Sequence, residues 1–145
     1  YKDWFSTDIQ IVNQEIVQIN VFHFDLTNIQ DYQKKLGKRK INRVLAEHVL
    51  EHLTIDQIEV MLKNISQFAA TNINIRIALP DGYHKDQKYI DEVKPGGWGM
   101  GAYDHKNLFT YRSLSDIFEK NGFKAHLVEY WDENGEFHQG YHNDD

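Results

Sequence analysis

Ile41-Asn42-Arg43-Val44-Leu45-Ala46, running directly into Glu47-His48-Val49-Leu50-Glu51-His52-Leu53-Thr54, is the stretch that decides the fold. Its first six residues are largely apolar, as expected of a strand covered on both faces in a parallel sheet. The next eight place two histidines and two carboxylates where that strand gives way to a turn. In an open α/β sheet such strand ends border the ligand crevice. His48-x-x-Glu51-His52 also matches the H-x-x-E-H pattern of inverted zinc peptidases, in which two histidines one helical turn apart hold the metal and the glutamate is general base. That reading needs the motif to lie within a helix and a third ligand from elsewhere. Without that context the expectation is that no metal is bound. A histidine at a strand end is most often simply hydrogen-bonded and half-buried.

Working outward, Thr54-Ile55-Asp56-Gln57 is a capping box. Ile55, Ile58, Met61, Leu62, Ile65 and Phe68 then recur at helical spacing, predicting an amphipathic helix over 55–70. Ile73, Ile75, Ile77 and Leu79 alternate with Asn74, Arg76 and Ala78, a strand stopped by Pro80-Asp81-Gly82. Before the deciding stretch, strands over 4–9 and 16–24 end at acidic tips, Asp8 and Asp25, and the polar, basic 29–40 allows one short helical turn before Gly37. Residues 83–110 show little regular pattern, and a segment this long inside a compact domain is usually a functional loop or lid. Ser113 caps a helix over 114–120 with Gly122 beyond it, and Asn134-Gly135 joins strands over 125–131 and 136–141. The alternation implies one α/β domain, with a mostly parallel sheet, helices on both faces and a C-terminal antiparallel hairpin.

At 145 residues the chain is long enough for a single core. A net charge of −6, with only Lys34-Lys35 and Lys38-Arg39-Lys40 as basic clusters, argues against nucleic acid as a partner. The absence of cysteine suits a cytoplasmic setting, and no apolar stretch approaches membrane-spanning length.

The ordered set of parts resembles a class I S-adenosylmethionine-dependent methyltransferase. Within that superfamily, Asp81-Gly82-Tyr83-His84, Val93-Lys94-Pro95-Gly96-Gly97, Tyr103-Asp104-His105-Lys106 and the run from Glu129-Tyr130-Trp131-Asp132 through Glu133-Asn134-Gly135-Glu136-Phe137-His138 are similar to a group of predicted bacterial methyltransferases of unassigned substrate. The resemblance implies a Rossmann-like sheet whose first, central strand and glycine-rich turn precede Tyr1, and a further strand after Asp145.

It also implies roles. Asp8 would accept hydrogen bonds from the ribose hydroxyls of S-adenosylmethionine, Asp25 and Leu26 would border its adenine, and Glu47 and His48 would lie near the sulfonium. The cofactor supplies the electrophile, so the protein must align an acceptor and take its proton. His105, His52 and His84 are the candidate bases because imidazole titrates near neutrality, and Asp81 and Asp104 are candidates to orient them. The segment 83–109, with Gly96, Gly97, Gly99 and Gly101 as hinges among aromatic and polar residues, reads as a substrate lid. The expected acceptor is a small molecule or glycan precursor, and a homodimer is compatible with the sequence. The alternatives are a non-catalytic binding or dimerisation module with this fold, and the zinc hydrolase above.

Overall fold

The computed structural model describes residues 6–8 and 21–140. The ten elements are β1 (Ser6–Asp8), β2 (Val21–His23), α1 (Ile29–Leu36), β3 (Ile41–Glu47), α2 (Ile55–Phe68), β4 (Ala69–Ala78), α3 (Gln87–Val93), α4 (Tyr111–Lys120), β5 (Glu129–Trp131) and β6 (Phe137–Gln139). Short 3-10 turns at Leu50–His52 and Ala102–Asp104 complete the order. The rest of the first two expected strands, at 4–5, 9 and 16–20, and the end of the last at 141 lie outside the described residues.

β1 and β2 pair in parallel, Asp8 opposite His23, and β3 and β4 pair in parallel, with Val44 opposite Ile75 and Ala46 opposite Ile77. The two pairs are not hydrogen-bonded to each other among the described residues. β5 and β6 form the expected antiparallel hairpin, with Gly135 at φ 75° in its turn. A register shift between Ile41 and Arg43 lets β4 begin at Ala69, immediately after α2.

α2 organises the core. Its capping box forms as the sequence predicts: the Thr54 hydroxyl accepts from Gln57 N at 3.3 Å, and Thr54 N donates to Gln57 Oε1 at 2.8 Å. The helix stops at Phe68 rather than residue 70, because Ala69 and Ala70 already join the β4 ladder. Ile58, Met61, Leu62 and Ile65 pack with Phe24, Tyr32, Ala46, Leu50, Phe109, Ile117 and Phe118, and Ile73, Ile75, Ile77 and Leu79 close over them. Only this face of β3 and β4 is buried. The opposite face carries Arg43, Asn74, Arg76 and a Leu45 that is 49% exposed, so the deciding strand is not covered on both sides among the described residues.

Three other expectations change. The 29–36 segment makes two helical turns, not one, because Asn28 caps it by accepting from Gln30 N. A buried Tyr32 anchors it, donating its hydroxyl to Leu26 O at 3.0 Å and meeting Phe24 edge-on. α4 starts at Tyr111, with Thr110 as its cap and Ser113 as the reciprocating third residue. The 83–110 segment is not structureless: Asp86 caps α3 by accepting from Lys88 N.

Leu62→Ala should lower stability by about 2–5 kcal/mol, the cost of an unfilled core cavity, whereas Ile55→Ala, at the exposed start of the same helix, should cost far less; chemical denaturation of both variants checks this. In the hairpin, the hydrogen bond from His138 Nε2 to Asp132 Oδ2 at 2.8 Å, helped by the amides of Glu136 and Asn134, holds the Asp132 carboxyl down at about 2. Because the folded value lies below the unfolded one, the stabilisation is complete above the ordinary aspartate range and is lost as pH falls through about 2. An NMR titration should place the Asp132 midpoint there and see it rise in His138→Ala.

Candidate functional site

At Glu47 the β3 ladder ends, and His48 takes φ 52°, a left-handed conformation uncommon for a residue with a side chain. That one residue breaks any helix through His48-x-x-Glu51-His52, so the motif lacks the geometry an inverted zinc peptidase requires. The Leu50–His52 turn follows. Leu50 points into the core and is fully buried, fixing the turn. Its neighbour Glu51 is 1% exposed, a buried carboxyl. Glu51 Oε1 lies 3.2 Å from His48 Nδ1, while Oε2 has no hydrogen-bond partner among the described residues.

The long loop closes over this turn. Glu51 O accepts from Lys106 N at 2.7 Å and Asn107 N at 3.2 Å, and Asn107 Nδ2 donates to Leu53 O at 2.6 Å. These contacts bring His105 against His52, with ring centroids 4.7 Å apart at 80°. His105, 9% exposed, has its Nδ1 2.6 Å from Val93 O; a carbonyl only accepts, so Nδ1 carries the proton. His52 Nδ1 lies 3.4 Å from Asp104 Oδ2, and Asp104 also takes Lys106 Nζ at 2.7 Å. Lys106 first, and His52 with it, hold the Asp104 carboxyl below the usual carboxylate range. The loop's two ends are tied where Gly82 N donates to Phe109 O at 2.7 Å. The hinge reading of its glycines changes as well: a Cβ on Gly97 would collide with the Glu92 carbonyl oxygen, so this glycine serves close packing on the end of α3.

The expected cofactor residues occupy strand ends. Asp8 is the last residue of β1. Asp25 closes a turn after β2, its Oδ1 accepting from Thr27 N at 2.8 Å and Thr27 Oγ1 at 2.7 Å. Leu26 packs on the core, and its carbonyl accepts from Tyr32 and Asn64. Glu47 and His48 are exposed at the end of β3. Parallel strands thus present acidic residues at their carboxyl ends, the edge where an open α/β sheet takes ligands.

Compared with known families, residues 3–128 match the family model described as Methyltransferase domain. The chain belongs to that family. It is therefore a member of the class I S-adenosylmethionine-dependent methyltransferase superfamily, and its general chemistry is methyl transfer. No curated protein and no solved structure matches the chain.

In this methyltransferase the predicted histidines divide into two groups. His52 and His105 meet beside Glu51, with Asp104 on His52. His84 lies apart, its ring 4.2 Å from that of Tyr89 and 4.8 Å from that of Trp131, its Nδ1 accepting from Asp86 N. Nor does the Asp81 carboxyl contact a histidine. Its Oδ1 accepts from Tyr83 N at 2.9 Å and its Oδ2 from Trp131 N at 2.8 Å, tying β5 to the end of β4. Sequence reasoning set Glu51 aside with the zinc motif and overlooked Asn107, which fastens the loop; the signal for Glu51 was a carboxylate beside the wholly apolar Leu50 position. Tyr89 was also missed, its hydroxyl pKa raised mainly by burial, with Asp81, Glu51 and Glu92 adding negative charge. The shallow groove lined by Asp56, Val60, Lys63 and Asn121 lies along α2 and holds none of these residues. No helix among the described residues is long and apolar enough to cross a membrane.

Asp81→Ala should cost about 1.5–3 kcal/mol, because hydrogen bonds to a charged acceptor are lost from two main-chain amides. Denaturation should register the cost, and hydrogen exchange should show the Trp131 amide losing protection while the Glu51 turn keeps its own.

Proposed function

We propose that this methyltransferase transfers the methyl group of S-adenosylmethionine to a hydroxyl or amine of a small-molecule or glycan-type acceptor. The observation that carries the reading is the docking of the 83–109 loop on the Glu51 turn, which gathers Glu51, His52 and His105 just past the end of β3. Polar, proton-handling groups therefore sit just past the end of β3, the strand that ends at Glu47. The donor set fits: carboxylates at the ends of parallel strands are apt acceptors for a ribose diol, with Asp8 the residue for that task. Asp25 and Leu26 would border the adenine, and the carboxylate of Glu47 beside His48 favours a nearby positive charge.

The bound cofactor supplies an electrophilic methyl group on a sulfonium. The chain's own work is to hold the acceptor in line and to deal with its proton. The Glu51, His52 and His105 cluster takes that part, with Asp104 orienting His52 and the Val93 carbonyl orienting His105. His84 and Asp81 serve the frame of the loop.

Calorimetric titration of the intact protein with S-adenosylhomocysteine should show binding, weakened in Asp8→Ala by about 1.5–3 kcal/mol. His105→Ala should depress turnover far more than cofactor affinity, since it acts on the acceptor side. Absence of binding by the intact protein would favour a non-catalytic module of the same fold.

A further inference from the structure

Two independent observations meet at the turn after β3. Glu51, His52 and His105 each offer one ligand atom, and the three atoms lie within 4.8 Å of one another. Separately, Glu51 Oε2 is buried without a hydrogen-bond partner among the described residues, a costly state for a carboxylate oxygen unless a cation or donor meets it. We propose that Glu51, His52 and His105 form a binding site for a divalent transition-metal ion, held by one carboxylate and two imidazoles.

The surroundings of the histidines fit ligation. Metal-bound histidines characteristically give their second ring nitrogen to a carbonyl or carboxylate, which fixes the tautomer and aims the ring. His105 Nδ1 donates to Val93 O and His52 Nδ1 faces Asp104 Oδ2, which leaves Nε2 of each ring as the nitrogen with a lone pair to offer. The loop supports them from behind through its bonds to the Glu51 carbonyl. Two imidazoles with one carboxylate suit zinc and similar ions rather than magnesium or calcium, which favour all-oxygen sites. Zinc takes such ligands at about 2.0–2.2 Å, so the three atoms need to draw together by roughly an ångström. The set differs from the peptidase motif: His48 is exposed and outside it, and His105 from the distant loop is the third ligand that the motif lacked.

Three protein ligands leave a coordination position open. With an ion bound, the Nε2 lone pairs of His52 and His105 would be taken up in ligation, so the cluster would ease loss of the acceptor's proton to solvent through the cation, which lowers the pKa of an oxygen ligand. A hydroxyl-bearing acceptor is the class such a position favours. This assignment of acceptor rests on the methyl-transfer reading; the ion site itself does not. In the other cluster, Asp132, Glu136 and His138 of the hairpin, Asp132 already accepts from His138 Nε2 and from the amides of Asn134 and Glu136.

The test is metal binding by the intact, chelator-treated protein, read without any assay of turnover. Titration with zinc should give one site per chain, with magnesium far weaker, and cobalt at the same site should give a visible absorption band. His105→Ala and His52→Ala should each weaken zinc by at least about 100-fold and Asp104→Asn by about 10–100-fold, as loss of a ligand outweighs loss of its support. His138→Ala should leave zinc affinity unchanged. Glu51→Gln should lose the zinc-induced rise in Tm, because an amide oxygen is a much weaker zinc ligand than a carboxylate. Zinc affinity insensitive to His105→Ala, or lost instead in His138→Ala, overturns the site, as does the absence of zinc binding. Failure to bind S-adenosylhomocysteine while zinc binds would count against the methyl-transfer reading alone.

Discussion

The turn that buries Glu51 is the constraint on which the candidate site depends. Leu50 drives it, being wholly enclosed by the core that α2 organises, so the next residue has no choice of position. Its carboxyl is carried out of water, and its main-chain carbonyl is presented to the loop, where Lys106 and Asn107 take it up. A hydrophobic anchor therefore sets a polar site: the turn cannot shift outward without exposing Leu50, and the loop cannot lift without orphaning two amides. A sequence selected for stability alone would fill the Glu51 position with an apolar side chain.

Much of the frame was legible because it follows from local rules. The Thr54 and Gln57 reciprocal cap, the apolar face of α2, the alternation of β4 and the glycine of the hairpin turn each depend on residues close in sequence. α3 escaped notice for the opposite reason: it buries no residue, so no apolar period marks it, and only the Asp86 cap announces its start. In α1 the buried Tyr32 is joined on the core only by Ile29 and Leu36, too short a pattern to read. The 125–131 segment has strand-like composition, yet only Glu129–Trp131 finds a partner strand.

The site was legible in its parts and not in its assembly. His52, Asp104 and His105 were singled out as chemistry-bearing types, and the structure brings them together. What no spacing rule foretells is the positive φ at His48, which turns it away from the axis it would share with His52, or the 54-residue reach of the Asn107 contact to Leu53. Asp81 misled because an acidic residue at a strand end reads equally as a site residue or a splint; two amides within hydrogen-bonding distance make it a splint.

The hydrogen bond between Gly82 and Phe109 gives the loop a closed neck. A segment joined at its base behaves as an exchangeable cassette, since lengthening it costs closure entropy that grows only with the logarithm of its size. Its tip, where Trp98, Met100 and Tyr103 stand in solvent, can vary in length and character while β4 and α4 stay in place. Changes can then accumulate at the tip without drawing on the stability of the core, which leaves the character of that surface and the folding of the domain in the hands of different residues.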